Sequence, residues 1–157
     1  MINYLHNIFA TIPVSPSDYV IVGSSAAYLQ LMDNSHELER FLTIHGGIGD
    51  IDMIARKPAS RRIYKSEKTL GEIYRRGLDI YLPPKDHAPF RSSYTFIDML
   101  EVDERKFERY LRCSNTINLG DLTLNVLNLE EVILRGMNAE RPGYAEIGGT
   151  PVCMCTV

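Results

Sequence analysis

An α/β fold, more narrowly α+β, with a small mixed sheet flanked by helices, is what this 157-residue sequence predicts. Three observations predict it. Short β-branched runs such as "YVIVG" and "LTLNVL" alternate with stretches such as "NYLHNIFATI", where apolar residues recur at helical spacing. Gly, Pro, Ser and Asn punctuate nearly every change between the two patterns. No low-complexity linker and no internal repeat divides the chain, so residues 1–157 read as one domain.

Each element follows from its residues. "NYLHNIFATI" is a first helix, stopped at Pro13. "SPSDYVIVG" moves from turn residues into a buried strand that closes on Gly23, and "SSAAYLQLM" begins with capping residues and continues as a helix. "SHELERFLTIH" is a third helix, with Ser35 as its expected cap. "GDIDMIAR" is a second strand after a glycine turn. "KSEKTLGEIYRRG" reads as a basic helix stopped at Gly77, and "LDIYLPP" as a third strand ended by two prolines. "SSYTFIDMLEV" alternates as a fourth strand, and "DERKFERYLRC" is a helix with Asp103 near its start. "LTLNVLN" is a fifth strand, and "LEEVILRGMNAE" a closing helix.

Composition narrows the class. With 45% hydrophobic and 24% charged residues the chain is globular rather than disordered. The start, "MINYLHNIFATIP", lacks the basic region and small-residue cleavage site of an export signal. No apolar run approaches the roughly 20 residues of a membrane helix. Three cysteines, Cys113, Cys153 and Cys155, fit reduced thiols and a cytoplasmic setting. The terminal "CMC" has no partner pair for a tetrahedral metal and reads as a plain tail.

Charge is distributed unevenly. From Arg56 to Arg76, eight Lys or Arg face two Glu, a local net of +6 in a chain whose total is −3. The cluster follows directly after "GDIDMIA", which makes it a candidate phosphate-facing surface rather than only a solvated face.

Two features carry chemistry. Side chains alternate across a strand, so Asp50 and Asp52 share one face, with Ile51 and Met53 on the other. Two such carboxylates repel unless a cation sits between them, and Mg²⁺ accepts one or two carboxylates plus phosphate oxygens. A third carboxylate would complete a two-metal site: Asp79 in "GLDIYLPP", with Asp98 in "TFIDMLEV" as the competing candidate. Earlier, "VIVGSSAAYL" brings Gly23, Ser24 and Ser25 to a helix amino end, where free N–H groups, hydroxyls and the helix dipole suit an anion. Neither a P-loop nor a dinucleotide fingerprint occurs.

A hydrophobic strand, Gly-Ser, a helix and then D-x-D on the next strand resembles the polymerase-β-like nucleotidyltransferase superfamily. "LNVLNLEEVILRGM" is similar to the strand–helix that closes its small members, the AbiEii-type and minimal nucleotidyltransferases. The resemblance spans roughly residues 18 to 137 and implies a nucleotidyltransferase-like mixed sheet, two Mg²⁺ ions and a nucleoside triphosphate such as ATP. It implies that Gly23 and Ser24 hold the β- and γ-phosphates, that Asp50 and Asp52 bind both metals, and that Asp79 binds the metal activating the nucleophile or serves as its base. The sequence departs from the pattern in "HGGIG", where Arg and Ser or Thr are usual, and in Arg135, where the closing helix commonly has Lys.

On this reading the chain moves an NMP from an NTP to a hydroxyl of an RNA, a protein or a small molecule and releases pyrophosphate. Ser24, Ser25, Arg61, Arg62 and Lys65 would neutralise the pyrophosphate, while Lys65 and Lys68 are alternatives for facing an acceptor. His45 and Arg91 are weaker phosphate candidates, and Tyr64 and Tyr74 read as core anchors. The chain is short for a separate acceptor domain, which points to a partner chain or homodimer, with no membrane partner. The rival expectation is a non-catalytic partner of the same fold, antitoxin-like or regulatory as in a toxin–antitoxin pair, that binds a protein or nucleic acid.

Overall fold

A computed structural model describes residues 2–46, 51–63, 97–140 and 143–147. Its helices and five-stranded mixed sheet form an α+β arrangement. Helix α1 (Ile2–Thr11) buries Leu5, Ile8 and Phe9 at helical spacing. A single 3₁₀ turn (Pro16–Asp18), capped by Ser15, leads into β1 (Tyr19–Ile21). Helices α2 (Gly23–Leu31) and α3 (Ser35–His45) follow, then β2 (Ile51–Arg56). Residues 57–63 are helical (α4). Beyond β3 (Ile97–Val102) come α5 (Glu104–Arg112), β4 (Ser114–Leu119), β5 (Leu122–Leu127), α6 (Leu129–Asn138) and the short α7 (Tyr144–Ile147).

The strand order is β3-β2-β1-β5-β4. Strand β1 runs antiparallel to β2 and parallel to β5, β2 and β3 are parallel, and β4 and β5 form an antiparallel hairpin. Tyr19, Val20 and Ile21 are all fully buried, as a central strand covered on both faces requires. Burial pushes the Tyr19 phenol pKa far above its ordinary value. Helix α2 is apolar around its circumference because it packs against both the sheet and α6.

Caps set the helix starts. The expected cap at Ser35 is corrected to Asn34, whose side chain accepts the Glu37 N–H at 3.3 Å, leaving Ser35 as the first helical residue. Asp103 caps α5 through the Lys106 N–H at 2.8 Å, and Asn128 caps α6 through the Glu131 N–H at 2.9 Å. Ser24 and Ser25, expected to open α2 as caps, lie inside its first turn; Val22 occupies the cap position with no side-chain bond.

Strand β4 was not anticipated: "SNTINL" is largely polar because β4 pairs only with β5 among the described residues and leaves Asn115, Thr116 and Asn118 exposed. The helical segment 57–63, inside the basic cluster, was also unforeseen; it buries Ala59, Ser60 and Ile63, and the Ser60 hydroxyl donates to Glu101 of β3. The basic helix expected over 65–77, the strand "LDIYLPP" and the residues Lys65, Lys68, Tyr64, Tyr74, Asp79, Arg91, Cys153 and Cys155 lie outside the described residues. No helix among the described residues is long and apolar enough to cross a membrane.

Candidate functional site

The site begins where β1 hands over to α2. Because β1 and β2 are antiparallel, with Ile21 opposite Met53, the exit of β1 lies beside the entry of β2. The Val22 N–H donates to the Asp52 carbonyl at 3.0 Å and locks that junction. Gly23 then turns with φ +62°, a backbone conformation that glycine adopts without penalty. A Cβ at Gly23 would lie 1.9 Å from the Asp52 carboxylate oxygen Oδ2. The carboxylate therefore packs directly on the first residue of α2, where the positive end of the helix dipole favours an anion. Gly23 is required twice, for its torsion and for its missing side chain.

Register extends the acidic feature into β3. Strand β3 pairs parallel to β2 with Asp52 opposite Asp98 and Ile54 opposite Leu100. Adjacent strands lie about 4.8 Å apart, so Asp98 is the backbone neighbour of Asp52 on that side. Asp50 lies outside the described residues, as does Asp79. Ile51 and Met53 are buried on the face opposite Asp52, the alternation expected of "IDM". Among the described residues no group of three or more His, Cys, Asp or Glu forms a metal cluster.

Asp52 lines a cavity of about 300 Å³. Gly23, Ile54 and Leu100 line it from the sheet side, Tyr110 from α5, Arg135 and Gly136 from α6, and Tyr144 from α7. Arg135 is the cation of this space. Its Nη1 donates to the Tyr110 hydroxyl at 3.3 Å, and its guanidinium carbon lies 5.0 Å from the centre of the Tyr110 ring. Its Nη2 contacts Glu131 at 3.4 Å, one turn earlier on α6. Glu131 is buried to 2% exposure, and its second oxygen and Arg135 Nε are both buried without a hydrogen-bond partner among the described residues. Such an arrangement costs desolvation energy, which a purely apolar wall would not incur.

Close packing shapes the rest of the wall. A Cβ at Gly136 would lie 2.2 Å from the Tyr144 ring, so this glycine lets α7 settle against α6. Tyr144 in turn meets Phe41 and His45 edge-on, and His45 stacks on Phe41 with centroids 4.8 Å apart. His45 is thus placed in an aromatic cluster behind the cavity rather than among its lining residues.

The other predicted residues are distributed as follows. Ser24 and Ser25 are buried at 3% and 0% exposure in the first turn of α2. Arg61 and Arg62 are exposed on α4, which starts at the end of β2 distant from Asp52, and neither lines the cavity. Tyr110, Gly136 and Tyr144 were missed by sequence reasoning. A glycine inside the amphipathic run "LEEVILRGMN" is the one signal that marked a close approach there. Comparison with protein-family models, curated proteins and solved structures found no match for this chain.

Proposed function

We propose that the chain is a metal-dependent nucleotidyltransferase that moves a nucleoside monophosphate from a nucleoside triphosphate to a hydroxyl acceptor, releasing pyrophosphate. The observation that carries this reading is the meeting of Gly23 and Asp52 at the mouth of a cavity that also holds Arg135. A strand–glycine–helix turn set against a carboxylate on the neighbouring strand puts an anion-binding helix end beside a cation ligand.

The donor set fits a hard divalent ion. Asp52, Asp98 at the adjacent register position and Asp50 two residues earlier offer only oxygen ligands, the preference of Mg²⁺. Bound there, Mg²⁺ supplies Lewis-acid polarisation of the α-phosphate. Register sets Asp98 beside Asp52 and supports it as a third carboxylate, while Asp79 lies outside the described residues. Arg135 is the cation for the phosphate chain, held in place by Tyr110 and Glu131. Ile54 and Tyr144, both buried, supply the apolar part of the wall. Arg61 and Arg62 have no phosphate role in this reading, because α4 leaves from the far end of β2.

A thermal-shift titration with each of the four NTPs, with and without Mg²⁺, tests it. At 100-fold excess over Kd, binding stabilises by about 2.7 kcal/mol, roughly 5–10 °C for a domain of this size. The expected shift needs both Mg²⁺ and a triphosphate and disappears in Asp52→Asn; which of Asp98→Asn and Asp79→Asn also abolishes it identifies the third carboxylate. No shift with any nucleotide would instead favour a fold-retaining binding partner.

A further inference from the structure

Helix α5 divides its polar residues by sign. Glu104 and Glu108 are one turn apart, and both reach Arg56 of β2, at 2.9 and 3.0 Å. Phe107 and Tyr110 form the buried face, with Phe107 beneath Arg56 and Tyr110 in the cavity wall. What remains is Arg105, Lys106, Arg109 and Arg112. Spacings of four, three and seven residues put Arg105, Arg109 and Arg112 on one stripe, and Lys106, three residues before Arg109, flanks it. Arg105, Lys106 and Arg112 are exposed and Arg109 is half-buried. None of the four forms an ion pair among the described residues.

Helix stability accounts for only half of the stripe. Arg109 and Arg112 lie in the last turn, where cations complement the dipole, but Arg105 and Lys106 lie in the first turn, where they oppose it. A solvated face of a chain with net charge −3 would be expected to intersperse acids here, and the helix's two acids are turned toward Arg56 instead. Four like charges on about 10 Å of helix repel one another unless a polyanion neutralises them. A polyanion whose charge repeats along its length is the phosphodiester backbone.

We infer that the outer face of α5 is a docking surface for the backbone of a single-stranded nucleic acid. The surface is distinct from the cavity, and it stands whether or not the cavity is catalytic. Tyr110 connects the two, because the helix that carries the stripe also walls the cavity.

The test uses the whole chain and labelled single-stranded RNA and DNA oligonucleotides, with neither Mg²⁺ nor nucleotide, read by fluorescence anisotropy across a salt titration. Four phosphate contacts on a single strand give a log–log salt slope of about −3. Replacing Arg105, Lys106 and Arg112 together by Gln is expected to bring the slope to about −1 and to weaken binding at least about tenfold at low salt. Arg61→Gln with Arg62→Gln, which removes two exposed cations from α4, is expected to leave affinity within about twofold. Preference between RNA and DNA assigns the source of the backbone. The inference is overturned if neither oligonucleotide binds, if the α4 and α5 variants weaken binding equally, or if poly-glutamate competes as well as nucleic acid. The assay contains neither Mg²⁺ nor nucleotide, so loss of the nucleotidyltransferase reading leaves its result standing.

Discussion

The two ends of strand β2 hold charges of opposite sign and use them differently. At its last residue Arg56 is enclosed by Asp18 at 3.2 Å, Glu104 at 2.9 Å and Glu108 at 3.0 Å, with the Phe107 ring 4.5 Å from the guanidinium carbon. Its partners come from the 3₁₀ turn and from α5, so one side chain ties three pieces of the fold together. At the second residue Asp52 sits against a left-handed glycine and lines a cavity with Arg135. The first charge joins elements; the second is presented to a space between them. The lesson is that partners distinguish two charges on one strand that a sequence pattern treats alike.

Four substitutions sharpen or break that contrast. Asp52→Asn is expected to lower nucleotidyl transfer by roughly 10²–10³-fold, the several kcal/mol that metal-stabilised charge contributes. Labelled-NTP incorporation on folded protein checks it; full activity in the variant would remove Asp52 from the site. Gly23→Ala forces a side chain into the carboxylate and a residue into positive φ, which together cost about 3 kcal/mol in denaturant unfolding. Arg56→Met keeps the packing on Phe107 but leaves three carboxylates facing one another. These groups are partly exposed, so the expected loss is about 1–2 kcal/mol and shrinks at high salt.

The smallest effect is at the β4–β5 turn. The His6 hydrogen bond at 2.6 Å, then the bond from its own backbone and the charge on His6, holds Asp121 below the usual carboxylate range. A depressed folded-state pKa stabilises above the unfolded value, about 3.9, and that contribution fades as pH falls below it. Asp121→Asn should therefore melt slightly below the native chain at neutral pH, and the gap should close in acid. A gap that widens in acid would refute the assignment.

Legibility followed from how local each signal is. Helices α1, α3, α5 and α6 were readable because their apolar spacing lies within one segment, α2 because a run of helix formers follows Gly23, and β2 because "IDM" alternates around Asp52. Neighbouring cap-forming residues blurred the start of α3, since Asn34 and Ser35 are both suited to the position. Strand β4 escaped because a strand with a single partner needs no apolar face, although the Gly120 turn with φ +65° marked the hairpin. The cavity was the least legible feature. Tyr110, Arg135 and Tyr144 come from three helices, and only the strand order brings them to Asp52. The register that sets Asp98 beside Asp52 was hidden in the same way.

The strand order also has a temporal meaning. Strand β1 is central, with β2 on one side and, through Ile21 opposite Val126, β5 on the other. A chain emerging from the ribosome in sequence order releases Gly23 and Asp52 long before β5 and α6 exist. Until Leu122–Leu127 arrives, one flank of β1 has none of its described pairing, and the wall that α6 contributes is missing. Synthesis in sequence order therefore leaves the wall that α6 and α7 contribute to the cavity to the last part of the chain to be made.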